Sequence, residues 1–482
     1  MTITSHSLLR DKAFIDGVWV GAAESFDVLD PATGRVVGSV PHLGAAETKA
    51  AIAAADKAFV TWSKKLAHER ANILRHWYNL IIQHTEDLAA LITLEQGKPL
   101  AEARAEVAYG ASFVEFYAEE AKRVDGQIIP TFRPDARVLV LRQPLGVVGA
   151  ITPWNFPVAM ITRKVAPALA AGCTVVCKPA EDTPLSALAL AALAEKAGMP
   201  AGVLNIITTA RPEVVGQEMT SNPVVRGITF TGSTEVGRVL MRQSAETIKK
   251  ISLELGGNAA FVVFDDADMD AAVLGCLNTK FRNAGQTCVC PNRIFVHAKV
   301  YDDFASRLTE AVKNLRVGKG TDEGVTIGPL INAAAMQKVE SHVADALAKG
   351  AVVMCGGTKH AAGDHFYTPT VLVGVRPGMA MMQEETFGPL APLVRFETEA
   401  EVLQLANNTP YGLAAYAYTR DVGRAWRVAE GLESGMVSIN GGVFSTVNAP
   451  FGGVKQSGLG REGGKWGMDE FTEIKYVLMG GV

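Results

Sequence analysis

The chemistry of this chain centres on a cysteine in a polar loop. Cys288 lies in Phe281-Arg282-Asn283-Ala284-Gly285-Gln286-Thr287-Cys288-Val289-Cys290, just after a segment, Ala271 to Lys280, patterned as a helix. A structural cysteine usually belongs to an apolar periodic element, where it acts as a small hydrophobe. Cys288 instead follows Gln286 and Thr287, with Arg282 six positions upstream. Exposed cysteines near cations are the ones that ionise and react. Alone, such a residue is either inert or a nucleophile, and a partner decides. Glu254, in Leu253-Glu254-Leu255-Gly256-Gly257-Asn258, offers one. A carboxylate beside flexible backbone serves as a general base toward water where its pKa suits. The other reading is a surface or salt-bridged glutamate.

Three further stretches stand where strands give way to loops. Thr152-Pro153-Trp154-Asn155-Phe156-Pro157 follows an apolar strand, and ligand sites in open α/β sheets lie at such carboxyl ends. The Asn155 amide is suited to stabilise a developing oxyanion, or simply to hold its own turn. Lys178-Pro179-Ala180-Glu181 follows the next strand. An acid there hydrogen-bonds ribose hydroxyls and repels a 2′-phosphate, which favours NAD over NADP; a surface Lys and Glu are the plain alternative. Phe230-Thr231-Gly232-Ser233-Thr234-Glu235-Val236-Gly237 marks a strand-to-helix turn, where glycine lets backbone approach a phosphate and the helix N-terminus supplies N–H groups. It is not the G-x-G-x-x-G fingerprint, and it follows the acidic segment rather than preceding it. Glu385, in Glu384-Glu385-Thr386-Phe387-Gly388-Pro389, is open to either reading. No His, Cys and Asp cluster has metal-ligand spacing, and Cys288-Val289-Cys290 is too tight for an ordinary zinc knuckle.

Composition sets the frame for these stretches. A chain of 482 residues exceeds one ordinary core, so two or three domains are expected. Hydrophobic content of 48% and charged content of 20% suit a globular protein. A net charge of −4 gives no electrostatic reason to expect nucleic acid or an anionic membrane. No apolar run is long enough to span a bilayer, and Met1 to Phe14 lacks the apolar core of an export signal. Six cysteines form no dense disulfide framework, which fits a reducing cytosol.

The elements that must position the site alternate. Residues 14–20 and 26–40 read as short antiparallel strands, and about 45–123 as helices with Gly97-Lys98-Pro99 as punctuation. Residues 137–142 alternate as a strand, an excursion suited to a subunit contact. From Val147 strands and helices alternate at the spacing of parallel βαβ units: strands at 147–151, 174–177, 203–207 and 228–230, and helices from Pro157, from Thr183 as N-cap, at 212–220 and at 235–243. A second α/β run starts near Asn258. Its strands are read at 261–264, 294–296, 351–355, 368–373, 390–396 and 435–439, and a last strand at 471–479.

These pieces, in this order, resemble the aldehyde dehydrogenase superfamily over essentially the whole chain. The resemblance rests on Pro153 to Pro157, Lys178 to Glu181, Phe230 to Ser233, Leu253 to Gly257, Gly285 to Cys288 and Glu385 to Pro389. Met160-Ile161-Thr162-Arg163-Lys164, Lys280 to Asn283, Cys288 to Cys290, Glu384 to Pro392 and Pro450 to Glu462 are most similar to succinate-semialdehyde dehydrogenases.

The resemblance implies an α/β fold with a variant Rossmann NAD domain (1–123 and 143–256). It also implies a catalytic α/β domain (257–445), with a β oligomerisation arm and tail (124–142 and 446–482). It makes Cys288 the nucleophile, Asn155 with the Cys288 N–H the oxyanion hole, and Glu254 the base for hydrolysis. Trp154, Lys178, Pro179, Ala180, Glu181, Gly232, Ser233, Leu255 and Glu385 match cofactor contacts, for NAD with NADP possible. Arg163 and Arg282, and less securely Ser445, match groups that grip a substrate carboxylate, guanidinium being the cation best shaped for it. The plain alternatives are a structural ion pair at Arg282 and a solvated helix residue at Arg163. Cys290 matches the second cysteine of a redox pair with Cys288.

The implied activity is oxidation of succinate semialdehyde, with glutarate semialdehyde or a broader carboxylate-bearing aldehyde as the alternative. The implied setting is a cytoplasmic homodimer or homotetramer. A CoA-acylating relative would not need Glu254, and a non-catalytic role would need neither Glu254 nor Cys288.

Overall fold

A computed structural model describes residues 8–442, 444 and 446–482. The strand-rich stretch from Val147 folds as a mostly parallel sheet. In space its core order is Leu204–Ile206, Thr174–Lys178, Val147–Ile151, Val225–Thr231 and Lys250–Glu254. These strands are near-continuously apolar because helices cover both faces, so alternation is lost. The chain enters at Val147–Ile151, moves outward through two strands, then crosses back to Val225–Thr231. The order therefore reverses between Val147–Ile151 and Val225–Thr231, the place where open α/β sheets hold ligands. Antiparallel strands finish both edges: Ala13–Ile15 with Val18–Val20 on one side and Gly458–Leu459 on the other.

A second sheet runs Val352–Cys355, Thr370–Val373, Leu390–Phe396, Pro291–His297, Ala259–Val263, Ala414–Tyr418 and Met436–Ile439, parallel except at its first pair. A third, antiparallel and away from both, joins Gln127–Ile129, Ala136–Pro144 and Thr472–Gly480. Ile128, Phe132, Ile474 and Tyr476 are exposed on or beside it. Four helices, Ala45–Trp62, Ala67–Gln83, Thr85–Gln96 and Leu100–Glu120, fill the region before the arm. No helix among the described residues is long and apolar enough to cross a membrane.

The structure corrects three readings. The stretch 446–482 is not all arm and tail: Gly458–Leu459 returns to the first sheet, Val454–Lys455 pairs with Tyr411–Gly412, and only Thr472–Gly480 joins the arm. The helix after Pro157 begins at Ala159. Thr183 does not cap the helix Pro184–Lys196 through its side chain. Its orphan N–H groups at Leu185 and Ser186 instead donate to the Glu95 carboxylate, at 2.8 and 2.9 Å. Two strands also escaped the pattern. Lys250–Glu254 is short, and the alanines of Ala414–Tyr418 blur its β signature.

Burial pushes the Glu95 carboxyl up to about 8. Between the ordinary carboxylate range and that value the folded chain holds a proton the unfolded chain has lost, so stability falls as pH rises. Glu95→Gln should remove a slope of about 1.4 kcal/mol per pH unit. Denaturant titrations between roughly pH 5 and 8 would show it as a flatter stability profile.

Candidate active site

Cys288 is placed by an unusual piece of backbone. After the helix Met269–Lys280, Asn283, Ala284 and Gly285 follow one another at φ of 52°, 55° and 77°. Left-handed conformation costs a non-glycine residue energy, and its surroundings must repay it. Side-chain amides do so here. Gln96 Nε2 donates to Asn283 Oδ1 at 3.0 Å, and the Asn283 N–H donates to Glu102 Oε2 at 2.8 Å. Gln286 Nε2 donates to the Asn283 and Pro329 carbonyls, while its Oε1 accepts from the Ile331 N–H at 3.0 Å. At Gly285 a Cβ would stand 2.1 Å from the Gly388 carbonyl oxygen, so the loop presses directly on the segment carrying Glu385. At Gly257 a Cβ would stand 2.7 Å from the Cys288 carbonyl oxygen, which brings the Glu254 segment against the same loop.

Asn155 is drawn to this loop. Its Nδ2 donates to the Gln286 carbonyl at 3.1 Å, and its own carbonyl accepts from Asn283 Nδ2 at 3.1 Å and Lys98 Nζ at 2.7 Å. Lys98 is fully buried, paired with Glu106 at 2.6 Å, and lies 3.8 Å from the Phe156 ring centroid. Glu106 in turn accepts the Val158 N–H at 2.9 Å. An interior ion pair thus fixes both ends of the Trp154 to Phe156 turn.

A cavity of about 540 Å³ collects the site. Cys288, Asn155, Trp154, Gly232, Ser233, Leu255, Glu385, Arg163 and Arg282 all line it. Tyr109, Phe156, Phe444 and Phe451 make much of the wall apolar. Trp154 meets Phe387 edge-on at 5.6 Å. Arg163 and Arg282 lie 4.1 and 5.3 Å from the Phe451 and Phe156 ring centroids, a stacking that offsets part of the cost of burying charge.

Several expectations change in this setting. Cys288 reaches the cavity but is not a readily ionised thiol. Burial pushes it up to about 12; Glu385 and Glu254 push the same way, against Arg163 and Arg282. Glu254 does not line the cavity. Its buried carboxylate has no hydrogen-bond partner among the described residues, and a Cβ on Gly452 would stand 2.8 Å from its Oε1. Burial, then the negative charge of Glu462, holds it well above the usual carboxylate range; Arg163, Lys164 and Arg461 pull down. Arg163 is no solvated helix residue: it is buried and ion-paired with Glu462, which also takes Lys164. Among the described residues its Nη2 nonetheless has no hydrogen-bond partner. The Cys290 sulfur lies 3.0 Å from Lys280 Nζ, and Cys288 and Cys290 are both free cysteines. Ser445 lies outside the described residues.

The dinucleotide-type residues converge on the sheet's carboxyl ends. Ser233 caps the helix Thr234–Ala245 by accepting the Val236 N–H at 3.3 Å. The Thr231 hydroxyl, buried beside it, has no partner. Lys178, buried, pairs with the half-exposed Glu181 at 3.2 Å; Pro179 and Ala180 are buried between them. None of these four lines the cavity itself. Glu385, pushed up to about 7 by burial, accepts the Gly257 N–H at 3.2 Å. A helix N-terminus, an orphan hydroxyl and carboxylates at strand ends suit a nicotinamide dinucleotide.

A model of the aldehyde dehydrogenase family matches residues 19–477. The chain belongs to the aldehyde dehydrogenase family. It is 58% identical to the NADP(+) succinate-semialdehyde dehydrogenase GabD of Escherichia coli strain K12, with all of both chains covered. It is 57% identical to glutarate-semialdehyde dehydrogenase of Pseudomonas aeruginosa, again over all of both. The crystal structure of succinate-semialdehyde dehydrogenase from Burkholderia pseudomallei matches with a TM-score of 0.99 at 60% identity, covering all of both chains.

For this aldehyde dehydrogenase, motif reading missed the support. Gln96, Glu102, Asn283 and Gln286 hold the cysteine loop, and Lys98 with Glu106 holds Asn155. Asn283 and Gln286 stand within the cysteine motif without their role showing, and Lys98 left a trace as a charge in the helix-breaking turn Gly97-Lys98-Pro99. Gly285→Ala should cost roughly 2–4 kcal/mol and at least tenfold in activity. Thermal scans and initial rates on the purified variant check both.

Proposed function

We propose that this aldehyde dehydrogenase oxidises succinate semialdehyde to succinate with NAD or NADP; glutarate semialdehyde or another carboxylate-bearing aldehyde is the second reading. The observation carrying it is the buried Arg163, whose Nη2 lacks an acceptor among the described residues, in the same cavity as Cys288 and Arg282. A buried guanidinium N–H without a partner is costly, and a substrate carboxylate would satisfy it. The two semialdehydes differ by one methylene, worth about 1–3 kcal/mol, and relatives carrying either name are equally similar.

Cys288 Sγ attacks the aldehyde carbon, and the new oxyanion accepts from Asn155 Nδ2 and the Cys288 N–H. A nicotinamide dinucleotide would be held by its phosphates at the Ser233 helix end and would supply the acceptor for the hydride that leaves the aldehyde carbon as the thiohemiacetal becomes a thioester. Trp154, Leu255 and Glu385 orient it in the cavity, while Lys178 and Glu181, with Pro179 and Ala180 between them, meet the adenosine ribose. Lys178 suits a 2′-phosphate and Glu181 a 2′-hydroxyl, so both cofactors are served. Water then opens the thioester on Cys288, with Glu254 taking its proton. In this reading residues 1–123 and 143–256 bind the dinucleotide, 257–445 hold the thiol, and the apolar arm sheet joins copies into a dimer or tetramer in the cytoplasm.

Aldehydes with and without a distal carboxylate, run with each cofactor, test the reading. Arg282→Ala should raise KM about 10- to 100-fold for the charged substrates, the loss of a charge-assisted bond of about 1.5–3 kcal/mol. Equal losses on uncharged aldehydes overturn the carboxylate grip. Glu254→Gln should give one burst of NADH followed by slow turnover. Because burial holds the Glu254 carboxyl above the usual carboxylate range, wild-type deacylation should accelerate as pH rises beyond that range, roughly tenfold per unit until its pKa is reached. A pH-independent deacylation rate counts against that role.

A further inference from the structure

The base of the cysteine loop is closed by a contact that the proposed reaction does not use. Lys280 ends the helix Met269–Lys280, and Cys290 precedes the strand Pro291–His297. Across the nine intervening residues Lys280 Nζ lies 3.0 Å from Cys290 Sγ. Both side chains are buried, Lys280 completely. A buried ammonium normally faces a carboxylate. Among the described residues Lys280 makes no ion pair, and its nitrogen has no hydrogen-bond acceptor other than this sulfur. The other contacts of Cys290 Sγ, to the Lys280 and Pro291 carbonyls at 3.5 and 3.8 Å, keep it on the same side. Val289, next to it in the chain, and Thr287 line the cavity.

We propose that Lys280 and Cys290 form an oxidative modification site, in which peroxide converts the contact into a covalent sulfur–nitrogen link. Hydrogen peroxide first oxidises the thiol, giving Cys290 sulfenic acid and one water. A sulfenic acid is electrophilic at sulfur and condenses with a nearby nucleophile. The nearest here is the Lys280 amine. The lysine first gives up its ammonium proton to solvent; its neutral nitrogen then attacks the sulfur, the S–N bond forms, the S–O bond breaks, and the hydroxyl leaves with one of the remaining N–H protons as a second water. Relative to the starting pair, the product has lost two hydrogens. A thiol reductant reverses it by attacking the sulfur and returning the amine. The link staples the two ends of the loop, leaves Cys288 as a thiol, and consumes the cysteine that would otherwise pair with it.

The test needs no substrate, so it stands apart from the proposed activity. The full chain is treated with hydrogen peroxide, the remaining thiols are blocked, and the protein is digested and mapped by mass spectrometry. Wild type and Cys288→Ala should both yield a cross-linked peptide joining Lys280 to Cys290, short of two hydrogens and released by dithiothreitol. Cys290→Ala and Lys280→Met should yield none. If Lys280→Met does not fold, Cys288→Ala and Cys290→Ala decide alone. A Cys288–Cys290 disulfide in wild type with no lysine link in Cys288→Ala overturns the proposal. So does Cys290 that stays reduced, or that proceeds to sulfinic acid in Cys288→Ala.

Discussion

The site depends on three consecutive residues held in left-handed backbone. Asn283, Ala284 and Gly285 turn the chain so that Cys288 faces the cavity instead of continuing the helix before it. Only Gly285 takes that conformation without cost. The other two are held by Gln96, Glu102 and Gln286, and the loop is clamped between Gly257 and Gly388, where no side chain fits. Those two clamps lie in the segments that carry Glu254 and Glu385. Backbone packing therefore sets the spacing of Cys288, Glu254 and Glu385 together, and a shift in one is transmitted to the others.

The same burial that makes the loop rigid makes the chemistry hard. The thiol, Glu254 and Glu385 are all pushed above their ordinary values, because each would be charged in a poorly solvated place. The protein offsets this with cations. Arg163 and Lys164 share Glu462 and pull on Glu254, and Lys98 with Glu106 anchors Asn155. Two compact ion-pair clusters thus flank a wall made largely of Trp154, Phe156, Phe444 and Phe451.

Motifs in the sequence announced the residues at the strand ends, because their chemistry resides in the residue type: a cysteine after Gln-Thr, a glutamate before Gly-Gly, a serine at a helix start. The alternation of strands and helices likewise announced the parallel sheets. Geometry within the site was less legible. Nothing in the spacing of Arg163 and Glu462, 299 positions apart, shows that they pair. Glu95 capping the helix Pro184–Lys196 in place of Thr183 is the same kind of event: a partner remote in sequence wins over the local one. The return of Gly458–Leu459 to the first sheet was hidden because two-residue edge strands carry no periodicity.

The pairing of Arg163 with Glu462 bears on how such a cavity can await a carboxylate at all. A lone guanidinium there would be an uncompensated interior charge, worth several kcal/mol of destabilisation. Glu462 removes that penalty in the empty protein, and it does so through Nε. Among the described residues the planar fork still has Nη2 without an acceptor. In the proposed reading a substrate carboxylate would add a second partner to a charge already neutralised, gaining a directional bond more than a long-range Coulomb attraction. Such a grip discriminates by position. In that reading an anion of the wrong length would not claim Nη2 while its carbonyl carbon sat at Cys288, so reach as well as charge would set what the enzyme accepts.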